Sequence, residues 1–117
     1  MIISKFFSGC LELNISKQPI VGFTEFNIIL KNNKYKNYFF DNIKSLVRYV
    51  LLEFYNGGVN SYNLFLYFKD ESMFCKIIPR FITSPYFIGY KLAQVHTYEK
   101  MKNIKNEYLK FRRNDEE

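Results

Sequence analysis

From Leu11 the chain alternates: Leu11, Leu13 and Ile15 are apolar while Glu12, Asn14 and Ser16 are polar, the period of a strand with one wetted face. Lys17-Gln18-Pro19 breaks that run, and a second strand is predicted from about Gly22 to Lys31, with Phe26, Ile28 and Leu30 on one face. The polar cluster Lys31 to Asn37 reads as a loop. From Tyr38 to Tyr55 the period changes. Phe39, Ile43, Leu46, Val47, Val50, Leu51 and Phe54 recur at helical spacing, with Asp41, Lys44, Ser45 and Arg48 opposite, which predicts an amphipathic helix of about five turns. Asn56-Gly57-Gly58 is its stop signal. Tyr62 to Lys69 and Met73 to Phe81 read as two strands joined by the tight turn Lys69-Asp70-Glu71-Ser72. Both are apolar at nearly every position, as central strands covered on both faces would be. A second helix is predicted from about Tyr98 to Arg112, with Met101, Ile104, Tyr108 and Phe111 as its stripe.

The predicted order is strand, strand, helix, strand, strand, helix. Short hairpin connections make the sheet antiparallel, with the helices packed against it, so an α+β fold is expected. A chain of 117 residues is expected to be one domain over residues 1–117, burying about two thirds of its unfolded surface. The apolar share of 48% and charged share of 24% point to a globular fold. Thirteen Phe, ten Tyr and no Trp, with abundant Asn, Lys and Ile, resemble the bias of an AT-rich bacterial genome. The net charge of +6 therefore weighs less as a sign of nucleic-acid binding. No apolar run approaches the roughly 18 residues that span a bilayer, and Met1 to Phe7 is too short and too lightly charged for a signal peptide. Cys10 and Cys75 lack zinc or disulfide spacing, and both are expected in strands as small buried apolar residues. A reduced, cytoplasmic protein with no membrane contact is the expectation.

Ser72-Met73-Phe74-Cys75-Lys76-Ile77-Ile78-Pro79-Arg80 resembles the motif strand of the histidine-triad superfamily, in which His-x-His-x-His runs into an apolar-apolar-Pro-Arg ending. The ending is present as Ile77-Ile78-Pro79-Arg80. The histidine positions match Ser72, Phe74 and Lys76. Residues 19–30 resemble the earlier strand pair of that domain, and residues 60–67, with the pair Tyr62-Asn63, resemble the strand before the motif. Ser84-Pro85-Tyr86-Phe87-Ile88-Gly89-Tyr90-Lys91 is similar to a Val-Gly-Tyr-Glu segment in the C-terminal half of galactose-1-phosphate uridylyltransferases. Over residues 9–97 the chain resembles the C-terminal half of an uncharacterised bacterial group of uridylyltransferase-like proteins.

That resemblance implies a histidine-triad-like half-domain without a catalytic residue of its own. Uridylyl transfer in this superfamily uses an imidazole nucleophile oriented by a second group. The sole histidine, His96, lies outside the motif strand and reads as a structural or exposed residue. The histidines that can hold a structural iron in the family match Phe74 and Lys76, so neither metal nor cofactor is expected. Isolated glycines and the helix stop Gly57-Gly58 give no P-loop or dinucleotide fingerprint. What the resemblance leaves is binding: Tyr86, Ile88, Gly89 and Tyr90 match the segment that helps to hold a nucleotide sugar, and Lys91 replaces its acid with a base. Lys76 and Arg80 are evenly spaced on one strand, hence on one face, and with Lys91 could form a small anion site. The competing reading has Tyr86 and Tyr90 packing the core and Arg80 tying a loop to the sheet.

The expected function is thus a non-catalytic half of a nucleotidyltransferase-like protein that binds a nucleotide or nucleotide sugar and contacts a second copy or an N-terminal half. The alternative is a structural dimerisation domain with a decayed pocket. A weaker alternative is single-stranded RNA binding through Lys100, Lys102, Lys105, Lys110, Arg112 and Arg113, with Tyr98 and Tyr108 interleaved. The acidic tail Asp115-Glu116-Glu117 opposes phosphate, and no Gly-Phe recognition motif is present, so a solvated helix face is favoured.

Overall fold

The alternation at Leu11, Leu13 and Ile15 sorts into an apolar face that is buried and a polar face that is half-exposed. In the computed structural model, whose described residues are 1–19, 24–57, 59, 61–80 and 97–115, this strand lies second in one open antiparallel sheet. The elements are β1 (Ile2–Phe6), β2 (Leu11–Ile15), β3 (Phe26–Leu30), α1 (Lys36–Leu52), β4 (Ser61–Lys69), β5 (Ser72–Arg80) and α2 (Tyr98–Asp115). The sheet order is β1-β2-β3-β5-β4. The α+β class and the antiparallel sheet agree with expectation, but the predicted order lacked β1. That strand shows no clean alternation because its register against β2 shifts between Ile2 and Ser4. Such a bulge throws the period-2 signal out of phase.

The core lies between the sheet and the two helices. Leu11, Leu13, Ile15, Phe26, Ile28, Leu30, Met73, Cys75 and Ile77 line the sheet side, and Phe39, Leu46, Tyr49 and Val50 close it from α1. Phe26 meets the Tyr49 ring edge-on at 6.2 Å, and Tyr49 meets Tyr108 of α2 at 5.3 Å. Each such pair is worth about 0.5–1.5 kcal/mol beyond burial. Met101, Ile104 and Tyr108 are buried as the α2 stripe requires, whereas Leu51, expected on the α1 stripe, is exposed.

Polar contacts fix α2 on α1. The Tyr49 hydroxyl donates to Glu107 at 2.7 Å, and the Tyr108 hydroxyl donates to Ser45 at 3.3 Å. Arg112 donates to the side-chain oxygen of buried Asn42 and lies 5.9 Å over the ring of Phe6. Among the described residues, three segments hold non-glycine residues in the left-handed region, one of them at Asp70 of the β4–β5 turn, φ 54°. Phe7 and Ser8 form the β1–β2 turn at φ 55° and 56°, and Tyr55 and Asn56 follow α1 at φ 54° and 57°. Such a backbone costs a non-glycine residue roughly 1–2 kcal/mol. Phe7 is compensated by stacking on Tyr35, centroids 4.0 Å apart. Cys10 sits at the end of this turn, half-buried, rather than inside a strand.

Candidate functional site

Because Met73, Cys75 and Ile77 of β5 point into the core, Ser72, Phe74, Lys76, Ile78 and Arg80 project from the face away from the helices. These include the positions matched to the missing histidines. Lys76 lies opposite Asn27 on one side and Phe65 on the other. Its ammonium meets the Glu25 carboxylate at 3.3 Å, with 19% and 2% of the two side chains exposed. Asn27, also buried, donates to Asn14 at 2.9 Å and Ser16 at 2.8 Å, and Asn14 donates to Glu12 at 2.8 Å. The centre of this face is therefore a hydrogen-bonded polar row in which the Lys76 charge answers a buried carboxylate. Arg80 is exposed at the strand end, opposite Ser61. Four residues along a strand separate the Cα atoms of Lys76 and Arg80 by about 13 Å. Tyr86, Ile88, Gly89, Tyr90 and Lys91 lie outside the described residues, as does His96.

The margin of the same sheet is different in kind. Among the described residues β4, expected to be central, is the edge strand beyond β5. Leu64, Phe65, Tyr67 and Phe68 stand 39%, 42%, 54% and 65% exposed. An apolar run reads alike for a strand covered on two faces and for an edge strand that leaves its aromatics in solvent. Tyr67 leans on Phe74 across the pair, centroids 5.8 Å apart. A groove of about 130 Å³ runs beside them, lined by Ile29, Tyr67, Phe68 and Phe74 among others. Pockets that enclose drug-sized ligands start near 300 Å³.

On the helix side a shallow cleft of about 470 Å³ is bordered by Glu53, Asn56, Glu107, Lys110, Phe111 and Asn114. Behind it, burial first and the Glu107 hydrogen bond second push the Tyr49 phenol far above its ordinary range, which keeps it a hydrogen-bond donor. Burial pushes the Cys75 thiol up to about 12, so this sulfur holds its proton and is no nucleophile at neutral pH. Among the described residues no group of three or more His, Cys, Asp or Glu could hold a metal ion. No helix among them is long and apolar enough to cross a membrane.

Residues 1–109 match the family model described as the C-terminal domain of a domain of unknown function, DUF4931. The chain is similar to a crystallographically solved DUF4931 family protein from Bacillus cereus, with 41% identity and a TM-score of 0.74 over 95% of this chain. It covers 49% of that chain, and so spans about half of that relative's length. No curated protein matches it.

Proposed function

The chain belongs to the DUF4931 family, as its C-terminal domain, and we propose that it works there as a non-catalytic assembly half-domain. One observation carries this reading: a nine-residue edge strand, uncharged from Ser61 to Phe68, exposes four large apolar side chains. Exposed edges of this kind are sites of strand addition, and natural sheets normally blunt them. Sedimentation or light scattering of the purified chain, from micromolar to millimolar, tests it. A mass above the monomer that grows with concentration is expected. A strict monomer at about 1 mM overturns it.

A second reading follows the resemblance to the C-terminal half of uridylyltransferase-like proteins: the face bearing Lys76 and Arg80 binds a nucleotide or nucleotide sugar. Arg80 favours it, as a cation exposed on the face that carries the three motif positions. Amide shifts on titration with UDP-sugars, UMP, AMP and phosphate should then cluster at Lys76 to Arg80 and Tyr86 to Lys91. No shift at millimolar ligand removes this reading.

A further inference from the structure

We infer that β4 pairs antiparallel with β4 of a second copy about a two-fold axis at Phe65, joining the two sheets into one of ten strands. This rests on the assembly reading and names its partner. With Phe65 opposite its own symmetry mate, all nine residues of Ser61–Lys69 find an opposite number. Tyr62 faces Phe68, Leu64 faces Leu66, Asn63 faces Tyr67, and Ser61 faces Lys69. Aromatic and aliphatic pairs directly opposite each other are the ones that stabilise antiparallel strands, by about 0.2–1 kcal/mol each. No like charges are opposed within the strand.

The ends also balance. Lys69, Asp70 and Glu71 of one copy come beside Ser61 of the other, whose β5 neighbour is the exposed Arg80. Two cations and two carboxylates thus gather at each end, and the small Ser61 side chain leaves the Arg80 guanidinium room to cross toward the acidic turn. Opposed residues share parity, so both helix layers lie on one side of the joint sheet. A shift by one residue would place Lys69 opposite Tyr62 and throw the helix layers onto opposite sides.

The other edge explains why assembly stops at two. β1 has five residues, a register shift and exposed Lys5, a poor template for an incoming β4. A β4-to-β1 chain of copies is thereby disfavoured, and the symmetric pair closes on itself. A nine-residue edge about 30 Å long buries on the order of 1,000 Å² in total, near the lower limit for a specific interface. The dimer should therefore dissociate in the micromolar range.

Disulfide capture tests the register, in a Cys10→Ser background. Mixed Ser61→Cys and Lys69→Cys chains should cross-link to each other far more than either does to itself, as should Asn63→Cys with Tyr67→Cys. Phe65→Lys places two ammonium groups at the axis and should weaken dimerisation at least tenfold, with an unchanged circular dichroism spectrum. An oligomer that survives Phe65→Lys, or that cross-links in neither mixture, overturns the β4 pairing and leaves the assembly reading intact. A wild-type chain that stays monomeric overturns both.

Discussion

The two edges of this sheet show two treatments of the same hazard. β1 is short, shifts register between Ile2 and Ser4, buries Ile3 and has Arg112 of α2 laid over Phe6. β4 is nine residues long, pairs with β5 in unbroken register, and leaves large apolar side chains in solvent. Among the described residues both leave a row of backbone groups unpaired, yet only β4 offers one in unbroken register and uncharged from Ser61 to Phe68. What separates an end wall from a joint is therefore regularity and charge at the edge, together with what the helices cover.

Removing one side chain from each edge should expose the difference. Ile3→Ala deletes a buried group and is expected to cost about 2–4 kcal/mol in urea unfolding, without changing self-association. Next in size, Arg112→Ala strips the α2 cover from β1 and leaves the buried Asn42 oxygen without that donor. A loss of about 1–3 kcal/mol is expected in guanidinium melts.

Alkaline titration reports the sheet centre that both edges share. The Cys75 thiol has its folded value raised from 9.0 to about 12, so its contribution is complete below pH 9 and is lost as pH rises toward 12. The unfolded chain sheds that proton first, which lowers stability by roughly 1 kcal/mol at pH 10. Tyr49 acts in the same direction from its ordinary value of 10.0 upward. Urea midpoints at pH 8 and pH 10 should show this slope, and Cys75→Val should flatten part of it. Iodoacetamide at neutral pH should label Cys10 and spare Cys75. The smallest effect belongs to β4: Phe68→Ser should change monomer stability by no more than about 0.5 kcal/mol while weakening association.

Much of this was legible in the chain. The Leu11 to Ile15 alternation, the α1 stripe and the β4–β5 hairpin are local patterns, and local patterns survive folding. Even spacing also sufficed to put Lys76 and Arg80 on one face. The rest depends on partners that sequence distance conceals. Glu25 lies 51 residues from the Lys76 it holds, and Tyr49 lies 58 from Glu107. A basic residue opposite Asn27 on a face otherwise rich in Asn and Glu was the available hint of the polar row. β1 was hidden by its own shift in register, although Ile2, Ile3 and Phe6 ahead of the Gly9 turn carried apolar content. β4 was misplaced because periodicity counts apolar residues and says nothing about which neighbour covers them.

The β4–β5 hairpin also sets a timetable. Its strands are joined by two residues, so it can zip within microseconds. The β3–β5 pairing, by contrast, must first close some forty intervening residues between Leu30 and Met73. A refolding chain thus carries its stickiest strand, with one side open, before the sheet that will orient it exists. Yield on dilution from urea should fall steeply with protein concentration, because encounters at that moment compete with completion of the fold.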